Sequence, residues 1–228
     1  SPLPCYFGAA PEEANRFVLM LGDSHAVHWR AAVEPIARVR GWHGTSLTRA
    51  ACPYSAARPI LPPEHLGPCL AWRETIVPWL RERPEIDTVI VSHHPTRVAG
   101  GPEAAVQGYL RAWRGLPGTV KRIVVIRQTP GSNGTVRACV NAALRSGRPA
   151  GRDCAVPRSR ALRLDPGAAA ARRYKGDRAE LVDMTRSFCS PTLCFPVIGG
   201  VLVHKDNSHI TATYGATLAP FLAARLRF

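Results

Sequence analysis

The junction between an apolar segment and a Gly-Asp-Ser turn constrains the fold of this chain more than any other feature. Residues 17–21 are mostly apolar, Gly22, Asp23 and Ser24 follow, and apolar residues then recur at helical spacing to about residue 39. This pattern predicts a buried strand, a sharp turn and a helix. The first N–H groups of a helix have no intrahelical partner and can stabilise an oxyanion. Ser24 is therefore a candidate nucleophile, and the alternative is that it only caps the helix.

A second motif, near the carboxyl end, supplies the groups that a nucleophilic serine requires. Asp206 and His209 lie three residues apart, directly before residues 210–226, which have helical periodicity. A carboxylate at this spacing can hold an imidazole in one tautomer while the other ring nitrogen takes a proton from serine. We interpret Ser24, His209 and Asp206 as a catalytic triad. Asp206 has an alternative, compatible role as a helix cap.

Strand-like and helix-like segments alternate along most of the chain. Apolar or β-branched segments predict further strands at residues 44–48, 88–92, 123–126 and 181–184. Helical periodicity predicts helices over residues 25–40, 71–82, 103–116, 168–174 and 210–226. Alternation of this kind is typical of an α/β fold, here a three-layer sandwich in which helices flank a central parallel sheet.

The chain divides into a short leading segment and one domain. Residues 1–15 lack a periodic pattern and begin with Ser-Pro-Leu-Pro, which is typical of the end of a linker. We therefore expect an irregular segment there and a piece of a longer protein. Residues 16–228 are the predicted catalytic domain, with a disulfide-pinned insertion around residues 129–164. The length of 228 residues suits one such domain.

Polar residues follow the predicted strand ends. In a parallel sheet of this kind, ligands bind beyond the carboxyl ends of the strands. Ser24, residues 48–51, residues 92–94 and Gln128 each lie just past a predicted strand. We expect them along one rim of the sheet, which His209 reaches if the last helix packs beside the first strand.

The charge balance favours an anionic partner. The net charge is +14, from 30 Lys and Arg against 16 Asp and Glu, and such a domain is attracted to nucleic acid, lipid headgroups or acidic polymers. The sequence lacks a helix with clustered base-reading residues and a basic strand with interleaved aromatic residues, so nucleic acid is not the expected partner. We expect an anionic cell envelope as the partner. No apolar run approaches the ~18 residues that span a bilayer, so we expect a soluble segment.

Seven cysteines indicate an oxidising compartment. Pairing in sequence order would close three loops and leave Cys5 either free or bonded outside this segment. The predicted pairs are Cys52–Cys69, Cys139–Cys154 and Cys189–Cys194. Zinc is the competing interpretation, but the sequence contains no Cys-x-x-Cys and its spacings do not match ribbons or fingers. We expect no metal site, because the histidines at 25, 28, 93 and 94 lack identifiable further ligands.

The two motifs together resemble the SGNH hydrolase superfamily. Gly22-Asp23-Ser24 matches its nucleophile block, and Asp206 to His209 matches its acid–base block. The extended motif Gly22-Asp23-Ser24-His25-Ala26, with Trp29 following, is similar to the SGNH domain appended to membrane acyltransferase-3 proteins, which O-acylate envelope polysaccharides, peptidoglycan among them. The resemblance implies an SGNH or flavodoxin-like sandwich.

This resemblance also implies a function, a partner and a location. The domain is expected to pass an acyl group, by resemblance an acetyl group, from an acyl-enzyme on Ser24 to an envelope carbohydrate. The family binds no cofactor in this domain; a membrane acyltransferase domain of the same full-length chain supplies the acyl group, ultimately from an acetyl-CoA type donor. The domain is then extracytoplasmic and tethered. Two alternatives stay open: a carbohydrate O-acetyl esterase that uses the same triad, and a non-catalytic envelope-binding module.

The oxyanion hole departs from the superfamily pattern. The superfamily adds a glycine and an asparagine to the serine N–H, whereas this chain has Ala50 and Ala51 after the second strand and Ser92 and His93 after the third. We expect the Ser24 N–H to donate, with backbone N–H groups of Ala50 or Ala51, or the side chains of Ser92 or His93, as further donors. The predicted substrate-binding residues are His25, Trp29 and His94.

Overall fold

A six-stranded sheet forms the centre of the molecule in the computed structural model, which describes residues 3–132, 134–176, 178–226 and 228. Ser1 and Pro2 of the predicted linker and Asn133 of the predicted insertion lie outside these residues. The sheet strands are β1 (Cys5–Gly8), β2 (Arg16–Gly22), β3 (Trp42–Thr48), β4 (Ile86–Ser92), β5 (Arg122–Ile126) and β7 (Ala179–Val182). Two-residue strands form two small ladders outside it: β6 (Val156–Pro157), β8 (Leu193–Cys194), β9 (Val197–Ile198) and β10 (Val201–Leu202).

The strand order is β1-β3-β2-β4-β5-β7, and every neighbouring pair except β1 with β3 is parallel. The predicted central parallel sheet is therefore confirmed, with an antiparallel edge strand added. That strand, β1, corrects the prediction of an irregular segment over residues 1–15. Its four residues were too short for a periodic signal, and they are extended because they pair with residues 43–46 of β3.

Helices cover both faces of the sheet. They are α1 (Ser24–Arg40), α2 (Pro63–Arg81), α3 (Gly101–Arg114), α4 (Val136–Arg145), α5 (Ala150–Asp153), α6 (Arg158–Ala161), α7 (Pro166–Arg173), α8 (Ala212–Thr217) and α9 (Ala219–Ala223). Successive side chains of a strand point to opposite faces. Val18 and Met20 of β2 therefore join the core beneath α1, α8 and α9, whereas Leu19 and Leu21 join the core beneath α2, α3 and α7.

The structure corrects two helix predictions, one by an interruption and one by an earlier start. The predicted helix over residues 210–226 is two short helices, with Leu218 between them and Pro220 in the first turn of α9, because proline cannot donate an intrahelical hydrogen bond. Helix α2 begins at Pro63, eight residues before the predicted start at 71. Proline is well tolerated in the first turn of a helix.

Three disulfides close loops around the sheet: Cys52–Cys69, Cys139–Cys154 and Cys189–Cys194. These are the pairs expected from sequence order, and Cys5 is exposed and free. The Cys139–Cys154 bond links α4 to the end of α5, within the segment predicted as an insertion. In the part of the chain that the structure describes, no helix combines the length and apolarity that crossing a membrane requires.

Candidate active site

The turn between β2 and α1 depends on Gly22 and Asp23. Gly22 has φ +148°, and a Cβ at this position would collide with the carbonyl oxygen of Ser92 on the adjacent strand β4. Asp23 is the N-cap of α1, where its Oδ1 accepts a hydrogen bond from the backbone N–H of His25 at 2.8 Å. Glycine permits the close strand approach, and the cap starts the helix at the next residue. Ser24 is therefore held at the carboxyl edge of the sheet.

Asp23 also connects this turn to the loop after β4. Its Oδ2 accepts a hydrogen bond from the backbone N–H of His94 at 2.9 Å, and the residue has no exposed surface. Burial raises the pKa of Asp23, and the two N–H donors, His94 and His25, oppose that shift. The sequence analysis gave Asp23 no role of its own. An Asp directly before a helix predicts a helix cap, but it does not predict the hydrogen bond from the His94 N–H.

Ser24, His209 and Asp206 form a continuous hydrogen-bonded chain. The Ser24 Oγ lies 2.8 Å from His209 Nε2, and His209 Nδ1 lies 2.8 Å and 3.0 Å from the two carboxylate oxygens of Asp206. The two ring nitrogens of the imidazole therefore face a hydroxyl on one side and a carboxylate on the other. This is the geometry of a nucleophile, a base and an orienting acid.

A tight loop before α8 presents the acid and the base. An isolated bridge between His204 and Ile210 closes it, and the backbone N–H of Lys205 donates to the carbonyl of His209 at 3.0 Å. Asp206 Oδ1 accepts hydrogen bonds from the backbone N–H groups of Ser208 at 2.9 Å and His209 at 2.8 Å. The helix cap expected of Asp206 is instead Thr211, whose hydroxyl accepts a hydrogen bond from the Tyr214 N–H at 3.1 Å, because α8 begins at Ala212. Asp206 closes its own loop and orients His209 with the same side chain.

The residues after β5 hold the same loop from the other side. The Thr129 hydroxyl donates to the carbonyl of Ser208 at 3.2 Å, and the Ser132 N–H donates to the carbonyl of Asn207 at 2.8 Å. Partial burial by itself would raise the pKa of Asp206, but the backbone N–H groups and the His209 ring outweigh it, so the pKa is lowered. Asp206 is therefore ionised at neutral pH.

Two further imidazoles pack behind His209. The His25 ring centroid lies 4.5 Å from that of His209, and His28 lies 4.9 Å from His25 and 5.8 Å from His209. Burial, reinforced by His209 and His94, lowers the pKa of His25 to about 3, and burial lowers the pKa of His28 well below its ordinary value. Both rings are therefore neutral near pH 7, which avoids placing further positive charge beside the base.

The structure corrects two of the predicted substrate contacts. Trp29 has no exposed surface and His25 is 1% exposed, so neither side chain can contact a sugar directly. His25, His28, Trp29 and Ala32 are all buried in α1, at spacings that lie on one helix face. That face packs against the sheet. His94 is half-buried and lies at the rim, with its Nδ1 3.1 Å from the Thr96 hydroxyl.

The predicted oxyanion donors occupy different environments. The Ser24 N–H lies in the first turn of α1, where N–H groups have no intrahelical acceptor. Thr48 pairs with Gly22 across the sheet, so Ala50 and Ala51 follow at the edge that holds Ser24, and Ala51 has φ 57°. The Ser92 hydroxyl is buried without a hydrogen-bond partner in the described part of the chain.

His93 has different neighbours from those expected of an oxyanion donor. Its ring stacks on Tyr109 with a centroid distance of 4.1 Å, and its Nε2 lies 3.5 Å from the buried carboxylate of Asp165. Asp165 in turn accepts hydrogen bonds from the backbone N–H groups of Gln128 at 2.8 Å and Ala168 at 3.0 Å. His93 thus supports the loops after β4 and β5 from inside the protein. The sequence carried no signal for this pairing, because the partners are far apart in the chain.

A cavity of about 220 Å³ lies beside the triad. Its lining residues come from the loops after β4 and β5, from the segment around α6 and from the loop that carries Asp206 and His209: His94, Pro95, Gln128, Thr129, Gly131, Ala161, Arg163, Asn207 and Ser208. Of these, the sequence analysis had placed His94 and Gln128 at the rim. No group of three or more His, Cys, Asp or Glu side chains within the described ranges could hold a metal ion.

Comparisons with known proteins agree with this architecture. A comparison with curated protein sequences finds no match. The chain is similar to a solved structure, the periplasmic domain of a lipopolysaccharide acetyltransferase from Salmonella ser. Paratyphi A, with a TM-score of 0.71 and 11% sequence identity; the match covers 94% of this chain and 84% of that chain. At this identity the similarity shows the fold. A family model described as the SGNH domain (fused to AT3 domains) matches residues 2–224, and the chain therefore belongs to that family.

Proposed function

We propose that this domain is a serine-dependent O-acyltransferase that moves an acyl group, acetyl in the simplest case, to a cell-envelope carbohydrate through an acyl-enzyme on Ser24. The observation that carries the proposal is the 2.8 Å contact between Ser24 Oγ and His209 Nε2. A serine hydroxyl is a weak nucleophile until an adjacent base takes its proton. The three residues named here, Ser24, His209 and Asp206, are the proposed catalytic residues.

The first half of the reaction forms the acyl-enzyme. His209 Nε2 takes the Ser24 hydroxyl proton as the serine oxygen bonds to the carbonyl carbon of the acyl donor. The oxyanion accepts a hydrogen bond from the Ser24 N–H, and the Ala50 and Ala51 N–H groups are the proposed further donors. His209 then returns the proton to the leaving group, whose bond to the acyl carbon breaks.

The second half transfers the acyl group. A carbohydrate hydroxyl gives its proton to His209 Nε2 and attacks the acyl carbon of acyl-Ser24. The bond between the acyl carbon and Ser24 Oγ breaks, and the serine oxygen recovers a proton from His209. Throughout, the Asp206 carboxylate keeps His209 Nδ1 protonated and directed away from the serine.

The family relationship supports a donor and a location. The matching family consists of SGNH domains fused to AT3 domains, so we infer that a membrane AT3 domain supplies the acyl group, ultimately from an acetyl-CoA type donor. The three disulfides fit an oxidising, extracytoplasmic compartment. The acceptor is then an envelope glycan, a polysaccharide or peptidoglycan, on that side of the membrane.

One observation favours an esterase as the second candidate function. The side chains of His209 and Asp206 are 23% and 48% exposed, so water has access to the base. With water as the acceptor, the same triad would release a free acid. Transferases avoid this outcome by excluding water or by binding the acceptor.

Mass spectrometry of the domain after incubation with p-nitrophenyl acetate tests the proposal. We expect an acetyl adduct on Ser24, discharged faster by a glycan than by water, with no adduct in Ser24→Ala and a normal adduct in the control Ser146→Ala, which changes an exposed serine at the end of α4. Release of acetate at a rate indifferent to glycan would identify an esterase. No adduct and no turnover in the intact domain would favour a non-catalytic binding module.

A further inference from the structure

The cavity beside the triad is suited to one sugar residue. Its volume of about 220 Å³ is below the range of about 300–1,000 Å³ typical of sites for drug-sized ligands. Asn207 and Ser208 belong to both the cavity wall and the loop that carries Asp206 and His209. A ligand in the cavity is therefore in contact with the loop that carries the proposed acid and base. The polar lining groups, among them His94, Gln128 and Thr129, suit a ligand with several hydroxyls.

The cavity also has a positive charge that no carboxylate of the described residues neutralises. Arg163 lines it, is exposed, and forms no ion pair with any Asp or Glu within the described ranges. Several other arginines do have such partners; Arg127, for example, lies 2.7 Å from Asp183. Burial, followed by the positive charges of Arg97 and Arg163, lowers the pKa of His94 to about 4. The guanidinium groups of Arg97 and Arg163 thus both place positive charge near His94 in the wall of the cavity.

The nearby carboxylates already accept hydrogen bonds from donors within the protein. Asp23 accepts from two backbone N–H groups, Asp165 accepts from two others beside His93, and Asp206 accepts from His209 and two backbone N–H groups. Their oxygens are directed at these donors within the protein. Arg163, by contrast, lines the cavity, is exposed, and forms no ion pair with a described carboxylate. A negative group on a ligand can therefore pair with Arg163 without displacing a protein carboxylate.

We propose that this cavity is an acceptor subsite for an anionic sugar, one that bears a carboxylate or a phosphate, with Arg163 as the anion-binding side chain. The inference rests on the proposed function, in that the bound sugar directs a hydroxyl to acyl-Ser24. Arginine binds carboxylate and phosphate through paired, charge-assisted N–H donors. His94, neutral at pH 7, is available to hydrogen-bond a sugar hydroxyl.

A binding titration tests the subsite without requiring any catalysis. The protein is Ser24→Ala, and the probes are galactose, galacturonic acid and galactose 6-phosphate, followed by NMR. We expect at least one anionic sugar to bind about tenfold more tightly than galactose, and Arg163→Gln to remove this preference. The two anionic probes distinguish a carboxylate from a phosphate ligand. Arg114→Gln is the matched control, because Arg114 is exposed near the end of α3, which runs away from this edge of the sheet.

Discharge of acetyl-Ser24 by the same three sugars separates this inference from the proposed function. If the adduct forms but galactose binds and discharges it as well as the anionic sugars, the subsite is overturned and the transferase proposal stands. If no adduct forms but the preference and its dependence on Arg163 are observed, the subsite stands and the proposed reaction fails. An equal effect of Arg114→Gln and Arg163→Gln would attribute binding to net charge and would overturn the assignment.

Discussion

At the scale of single residues, Asp206 performs two tasks with one carboxylate. It closes its own loop by accepting two backbone N–H groups, and it accepts the Nδ1–H of His209. An asparagine at this position keeps one carbonyl oxygen for the backbone donors. It presents an NH₂ group in place of Oδ2, the oxygen nearer to Nδ1, and leaves His209 only the uncharged oxygen at 3.0 Å as an acceptor. The loop-closing and orienting tasks are therefore separable by one substitution.

We expect Asp206→Asn to lower the rate of Ser24 acetylation about 100-fold while leaving the melting temperature nearly unchanged. The rate falls because His209 loses its nearer acceptor and the negative charge that stabilises the protonated ring, and the loss is smaller than for a buried aspartate because Asp206 is half exposed. The release of p-nitrophenol checks this. The lowered pKa keeps the Asp206 carboxylate of the wild-type protein ionised at the pH of this assay, about 7.

Asp153→Asn provides the control for this substitution. Asp153 pairs with Arg148 at 3.3 Å in the insertion, outside the triad, so its removal should leave the acetylation rate unchanged. An Asp206→Asn variant with the wild-type rate would show that water orients His209 as well as the carboxylate does. The proposed role of Asp206 would then be wrong.

At the scale of elements, the close contact between the end of β2, the end of β4 and the start of α1 requires a residue without a Cβ. Gly22 is the last residue of β2 and pairs with Ser92 at the end of β4. Its φ of +148° is rarely adopted by other residues, and a side chain would also collide with the Ser92 carbonyl oxygen. The position of Ser24 thus depends on a backbone contact two residues before it.

We expect Gly22→Ala to lower the free energy of unfolding by at least about 2 kcal/mol, from the strained φ and the displaced strand together. Urea denaturation measures this directly. Gly118→Ala is the matched control, because no heavy atom lies within 4 Å of a Cβ there, and its effect should be within about 0.5 kcal/mol. Equal stability of the two variants would contradict the predicted collision.

At the scale of the whole molecule, the site is assembled from segments that are distant in the chain. Ser24 and His209 are 185 residues apart and meet because α8 and α9 pack against α1 over one face of the sheet. This packing also buries His28 and His204, with His25 beside them. Burial lowers the pKa of His25 to about 3 and that of His204 to about 4, and it lowers the pKa of His28 in the same direction.

We expect the free energy of unfolding to fall as the pH is lowered from about 6.5 to 4. The histidines titrate near 6.5 in the unfolded chain but remain neutral when folded, so the unfolded state binds more protons in this window. Each such group contributes a slope of up to about 1.4 kcal/mol per pH unit. Urea denaturation at several pH values measures the slope. His28→Gln should reduce it, whereas His65→Gln, at an exposed position of α2, should not.

A slope unchanged by His28→Gln would mean that His28 is protonated in the folded state. Acidic groups with lowered pKa values, such as Asp165 and Asp206, do not contribute to the slope in the upper part of this window. They begin to lose their contribution only below about pH 5, where the carboxylates of the unfolded chain start to protonate, so the slope is measured between about pH 6.5 and 5.

The sequence by itself determined the local parts of this protein. The strand, turn and helix around Ser24, the Asp206–His209 pair and the alternation of strands and helices follow from short-range patterns of polarity and spacing, and they were predicted correctly. The disulfide pairs also match sequence order. These features depend on residues that are close in the chain, so the pattern contains the information.

Only the tertiary structure decided which side chains reach the site. The rotation of α1 against the sheet buries His25 and Trp29, which the sequence had offered as substrate contacts. Long-range packing turns His93 toward Asp165 and brings Arg163 to the cavity beside Ser208. Strand β1 exists because β3 offers it a free edge. Each of these outcomes depends on surfaces that meet only after folding, and no local pattern specifies them.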